Sequence, residues 1–151
     1  MNYKILSIGK WKNVGENDLF LEYARRLQNR LSLKEITPPK KDSEALQKEA
    51  EAKLMLNEIE AKDFVVVLDE HGKNMPSLEF AKLLHKWVEE FSNITFCIGG
   101  ALGHGEGIIK RANFKLSLGQ MTLPHILARV VLAEQIYRAE TINAGLPYHK
   151  E

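Results

Sequence analysis

Two uninterrupted apolar runs, Phe64-Val65-Val66-Val67-Leu68 and Ile94-Thr95-Phe96-Cys97-Ile98, constrain this chain more than any other feature. Both have strand length, and both lack the polar alternation of a strand with one face in water. Strands covered on both faces belong to parallel sheets, whose crossover helices lie on either side. The rest of the sequence has to supply those helices.

It does so in alternation. Tyr3-Lys4-Ile5-Leu6-Ser7-Ile8 is a first strand, ended by Gly9. Asn17 is placed to cap a helix with Phe20, Tyr23, Ala24, Leu27 and Leu31 on one face and Arg25, Arg26, Gln28 and Arg30 on the other. Leu33 to Thr37 reads as a second strand closed by Pro38-Pro39, and from Asp42 or Ser43 a charged helix runs to about Ala61. Its apolar seam of Leu46, Leu54, Met55 and Ile59 is sparse, so it is expected to be solvated. Pro76-Ser77 opens a helix with a stripe of Phe80, Leu83, Leu84, Trp87 and Phe91. After Ile98, a short helical piece around Ile108 to Ala112 leads to a strand from Phe114 to Leu118. The last helix runs from Pro124 to about Asn143, and Gly145 stops it. The prediction is a single α/β domain over residues 1–151, a mainly parallel sheet flanked by helices.

Composition excludes more than it proposes. Lys+Arg 21 against Asp+Glu 20 gives a net charge of +1, so a nucleic-acid site has to be a local patch or one shared between subunits. The single cysteine, Cys97, rules out an internal disulfide and reads as a core thiol of a reducing compartment. No leader-like N-terminus and no membrane-length apolar run is present, so a cytoplasmic protein is expected.

In parallel sheets ligands sit at the carboxyl ends of the strands. Three loops leave those ends in the second half of the chain: Asp69 to Lys73, Gly99 to Gly107, and the corner from Gly119 to Pro124. The glycines do not spell G-x-G-x-x-G or a P-loop, the five histidines form no H-E-x-x-H, and no G-x-S-x-G elbow occurs, so a nucleotide-binding oxidoreductase, a metal centre and a covalent serine mechanism lack support. Gly99-Gly100 would let a flat ligand approach the backbone. Asp69 and Glu70 are either a carboxylate pair or a solvated loop with one acid pairing Lys73. The last helix is apolar over more than one face, so it is buried all round or half of a subunit interface. Arg129 stands on one of its apolar turns, where it either pairs across an interface or addresses an anionic ligand, and Glu134 and Arg138 form an i,i+4 pair. The ending Pro147-Tyr148-His149-Lys150 sets an aromatic, an imidazole and a cation together, a combination suited to stacking on a base beside phosphate.

Five motifs, Val67-Leu68-Asp69-Glu70-His71-Gly72-Lys73, Ile98-Gly99-Gly100-Ala101, Leu116-Ser117-Leu118-Gly119-Gln120-Met121-Thr122-Leu123-Pro124-His125, Glu134-Gln135-Ile136-Tyr137-Arg138-Ala139 and Pro147-Tyr148-His149-Lys150-Glu151, together resemble the RlmH (YbeA-like) family of SPOUT methyltransferases. The resemblance implies an S-adenosylmethionine-dependent, metal-free enzyme that methylates N3 of a pseudouridine in the large-subunit (23S) rRNA of the assembled 70S ribosome. It also implies a homodimer and a C-terminal trefoil knot. Carried across, the cofactor residues are Leu68, Gly100, Gly119, Gln120, Met121, Thr122, Leu123 and Pro124. His149 is the expected general base, Tyr148 the group that stacks on the target base, and Arg129 or Arg138 the group that anchors phosphate or shapes the site. Arg25, Arg26 and Lys150 are expected to face RNA, on a surface completed by a second subunit. The chain departs from the family at His71, where many relatives have Arg, and at Gly103-His104-Gly105-Glu106-Gly107. The alternative is a non-catalytic ribosome-binding factor that keeps the fold.

Overall fold

The structure, a computed structural model, describes residues 2–150. Ten elements alternate along the chain: β1 (Asn2–Ile8), α1 (Val14–Arg26), β2 (Leu31–Ile36), α2 (Glu44–Asn57), β3 (Phe64–Lys73), α3 (Ser77–Glu90), β4 (Asn93–Ile98), α4 (Glu106–Arg111), β5 (Phe114–Leu116) and α5 (His125–Asn143). The strands form one sheet in the order β2-β1-β4-β3-β5, every pairing parallel. Register lines Leu33, Ile5, Phe96, Val66 and Phe114 in a row across one face, and sets Leu6, Cys97 and Val67 side by side on the other. The first face packs under α1, α3 and α5 around Phe20, Leu84, Trp87 and Ile136. The second packs under α2 and α4, with Ala52, Met55 and Ile108 against Leu6, Val65 and Cys97. Cys97 is wholly buried, and burial pushes its thiol up to about 12, so it is an inert part of this layer.

The two apolar runs are the central strands β3 and β4, as expected. Elsewhere the boundaries differ, each for a physical reason. Helix α1 begins at Val14 with Asn13 at its cap, a turn before Asn17, and ends at Arg26. Gln28 and Asn29 then adopt left-handed φ of 58° and 59°, which reverses the chain and buries Leu31 as the first residue of β2. Helix α2 is capped by Ser43, whose Oγ accepts from the Leu46 amide at 3.1 Å. It is not a solvated helix: the small Ala52 lets Met55 reach the sheet, and only Leu46 of the expected seam stays half exposed. Strand β3 continues to Lys73 through an irregularity in which Leu68 and Lys73 both pair with Leu116, so residues 69–72 bulge outward from the sheet.

Candidate functional site

A cavity of about 920 Å³ opens at the carboxyl ends of β3 and β4. Its walls are the 69–71 bulge, the 99–104 loop and the corner before α5, and Lys48, Ile109 and Ala128 close it from the helices. Leu68, Gly100, Gly119, Met121, Thr122, Leu123 and Pro124 all line it. Gln120 sits in the same corner but is exposed and outside the lining.

Hydrogen bonds tie the three walls to one another. His104 Nε2 donates to the Leu68 carbonyl at 3.0 Å, Thr122 Oγ1 donates to Glu70 Oε2 at 2.9 Å, and Ser117 Oγ lies 3.3 Å from the Glu70 carbonyl. Ser117 Oγ also accepts from the Gly119 amide at 3.1 Å, which ends β5 and turns the corner. The carboxylates of the bulge are therefore fasteners: Asp69 accepts from the His71 amide at 2.9 Å and Glu70 holds Thr122. Lys73 pairs with neither, but with Glu79 at 3.0 Å. Burial holds the His104 imidazole below the ordinary histidine value, against the pull of the Leu68 carbonyl. Gly100 lines the cavity and also has close neighbours within its own chain. A Cβ there would lie 3.1 Å from Ile8 Cγ2 and 3.3 Å from Glu51 Oε1, so the missing side chain makes room for its own subunit.

Arg129 corrects an expectation. Its donors go to groups of its own chain: it is fully buried, with Nε donating to Ser7 Oγ at 2.8 Å, one terminal nitrogen to Glu35 Oε2 at 3.0 Å and the other to the Gly9 carbonyl at 2.9 Å. Trp11 lies against the guanidinium, 4.7 Å from ring centroid to Cζ, and the Trp11 amide donates to the same Glu35 oxygen at 2.7 Å. These contacts fix the β1–α1 turn beneath His125, a lining residue. Gly9 takes a φ of +103°, and a Cβ there would lie 2.7 Å from His125 Nε2, so a larger residue would strain the backbone and displace the His125 ring. His125 is held below its ordinary pKa by burial, then by the charges of Arg129 and Lys12.

The remaining candidates gather elsewhere. Arg138 grips Glu134, with contacts of 2.7 and 3.2 Å, and its other terminal nitrogen donates to His149 Nδ1 at 3.1 Å. Tyr148 donates to Glu134 Oε2 at 2.9 Å, lies under the Arg138 guanidinium at 4.8 Å and meets Tyr137 edge-on at 4.8 Å. Burial and the Glu134 bond raise its phenol above the ordinary range. Arg26 lies over both Tyr23 and Tyr137 and pairs with Glu22 at 3.0 Å, Arg25 approaches Glu22 at 3.7 Å, and Lys150 is exposed. All of this stands thirteen residues along α5 from His125, roughly 20 Å at the helical rise. Within one chain the last segment and the cavity are thus apart. Between them α5 exposes Leu127 and Val131, continuing Leu123 and the 85 % exposed Met121 of the corner. That stripe beside the cavity is the kind of uncovered apolar surface that a partner covers.

Sequence reasoning did not find His104, Glu70, Ser117 or Thr122 as the ties around the cavity. Their partners lie 36 and 52 residues away in the chain for His104 and Thr122, so no local pattern could have paired them.

Comparison with known proteins converges on one family. A family profile described as "Predicted SPOUT methyltransferase" matches residues 1–149. The chain is 46 % identical over 147 residues to the ribosomal RNA large subunit methyltransferase H of Acidiphilium cryptum, covering 97 % of this chain and 92 % of that protein. It is 42 % identical to the protein of the same name from Streptococcus pneumoniae, across 99 % of this chain and all of the other. Among solved structures, a probable methylase family protein from Haemophilus influenzae shares the fold, with a TM-score of 0.58 at 14 % identity over 99 % of this chain and 71 % of that one.

Proposed function

The chain belongs to the SPOUT methyltransferases, in the group of ribosomal RNA large subunit methyltransferase H proteins, and from that premise we propose that it methylates large-subunit rRNA with S-adenosylmethionine as donor. The target is N3 of a pseudouridine on the assembled ribosome, and the working unit is a homodimer of single-domain subunits in the cytoplasm.

The observation that carries this reading is the cavity at the carboxyl edge. Its volume falls within the range of small-molecule sites, and its lining combines apolar side chains and glycine-rich loop backbone with a few polar groups, among them Lys48, Asp69, Glu70 and Thr122, a mixture suited to an adenosine and a charged methionine moiety. Leu68, Gly100 and the corner from Gly119 to Pro124 would hold the donor, Gln120 only through its backbone. When bound there, S-adenosylmethionine supplies a sulfonium methyl open to in-line displacement. The same reading includes a C-terminal trefoil knot.

The separation along α5 supports the dimer. Tyr148, His149 and Arg138 stand apart from the cavity of their own chain, so in this reading a second copy brings them, packing on the Leu123, Leu127 and Val131 stripe. In that arrangement the partner's last segment addresses the nucleotide. Tyr148 stacks on the base, Arg138 and Lys150 face phosphate, and Arg25 and Arg26 extend the same cationic side. The N3 proton has to leave before the nitrogen can attack, and His149 accepts it. With Nδ1 taking a bond from Arg138 the ring carries its proton on Nε2 and has no free lone pair, so His149 swings off Arg138 to act. Positioning accounts for the remainder of the rate, since no covalent step is required.

The experiment is transfer of labelled methyl from S-adenosylmethionine to ribosomes purified from cells lacking this gene, with the product located by mass spectrometry of digested rRNA. One methyl on a single large-subunit pseudouridine is expected. Donor binding with no transfer, to ribosomes that a related enzyme does methylate, would instead favour a non-catalytic binding factor.

A further inference from the structure

The carboxyl edge carries cations that no acid answers. Lys10 and Lys12 stand on the β1–α1 connection, Lys40 and Lys41 on the β2–α2 connection, and Lys48 on the first turns of α2, in the cavity wall. Among the described residues none of the five forms an ion pair, although Asp42 and Glu44 follow Lys41 closely in the chain. Most of the arginines differ: Arg25 and Arg26 share Glu22, Arg30 is paired with Glu140, Arg129 with Glu35 and Arg138 with Glu134, while Arg111 bonds to Asn113 and backbone carbonyls. Five cations without an ion pair therefore stand along the same carboxyl edge of the sheet, Lys48 among them in the cavity wall.

One pair of these lysines is also rigidly mounted. Trp11 points inward, its ring against Arg129 and 5.9 Å from Phe20, with its amide fixed to Glu35. Lys10 and Lys12 flank it and are exposed. The charge of Lys12 adds to the lowering of the His125 pKa, after burial and Arg129.

We propose that Lys10, Lys12, Lys40, Lys41 and Lys48 form a phosphate-binding rim that holds the ribose–phosphate backbone of the rRNA next to the target nucleotide. The inference rests on the rRNA reading above and extends it to a surface of the cavity's own subunit, distinct from the partner's last segment. Point charges on flexible stems follow a backbone and do not read bases, so the rim contributes affinity and register while the target base is chosen elsewhere. Binding of this kind releases counterions and weakens steeply with salt.

The test uses the full-length dimer carrying Lys10→Gln with Lys12→Gln, a second variant carrying Lys40→Gln with Lys41→Gln, and a control with Lys82→Gln and Lys86→Gln on the exposed side of α3. Cosedimentation with ribosomes is read separately from methyl transfer, so failure of the reaction and failure of the rim are distinguishable. Each rim variant is expected to raise KM for ribosomes several-fold and lower the slope of log affinity against log salt by roughly 1 to 2. Turnover at saturating ribosomes and affinity for S-adenosylmethionine stay at wild-type values. Unchanged ribosome affinity and salt slope would overturn the rim, as would an equal loss in the control, which would make net charge the cause.

Discussion

Arg129 directs its donors at its own subunit, to Ser7, Glu35 and the Gly9 carbonyl, and thereby sets the turn on which His125 rests. Arg129→Ala would leave Glu35 and Ser7 without their partner in a closed site. Because the Glu35 side chain keeps 30 % exposure, the loss is expected at the low end for a broken buried pair, about 3 kcal/mol. Urea unfolding checks this. Unchanged stability together with lost methyl transfer would mean that the guanidinium acts on a ligand after all. Its sequence setting, a charge on an apolar helical turn, is the same for both roles, since a helix pattern gives the direction of a side chain but not what lies opposite it. Tyr148, His149 and Lys150 were legible as a group because their residue types suit a nucleotide, and Arg138 only as the partner of Glu134. Their mutual bonds were not, and those bonds give His149 its resting partner.

At the scale of elements, the three loops around the cavity behave as one wall because His104, Thr122 and Ser117 join them. His104 gives this wall a pH dependence. The unfolded chain takes up a proton near the ordinary value of about 6.5, while the buried ring in the fold does so only at lower pH. The unfolded state therefore binds more protons in that interval, and stability, full above about pH 6.5, falls as the pH drops below it. His104→Gln keeps an N–H for the Leu68 carbonyl and removes the titration. Its unfolding free energy is expected to fall less between about pH 6.5 and pH 5 than that of the wild type, with a residual slope from His125, whose pKa is shifted the same way. Equal slopes in chemical denaturation would count against the tie. Strands β3 and β4 could be read from sequence because burial on both faces leaves an apolar run in the residues themselves. The end of α1 could not, since Gln28 and Asn29 turn left-handed without a glycine to mark the place. Helix α2 looked solvated because its contact with the sheet is made through the small Ala52, which adds little to an apolar stripe.

For the whole molecule, the central claim is that the active site is shared. In the proposed dimer one subunit would supply the cavity and the lysine rim, and the other would supply Tyr148, His149 and Arg138 across a two-fold axis. Two variants separate the halves. Ala101→Trp fills the cavity from an exposed loop position and leaves the last segment intact, while deletion of residues 147–151 leaves the cavity intact. Each alone is expected to be inactive, the first unable to bind S-adenosylmethionine and the second still binding it. Mixed in equal amounts after subunit exchange, half of the dimers are heterodimers with one complete site, so methyl transfer should return to about a quarter of the wild-type rate per subunit. Recovery near that level, rising and falling with the fraction of heterodimer, is the predicted result. No recovery in a mixture shown to contain heterodimers would contradict the shared site and place the whole reaction within a single chain.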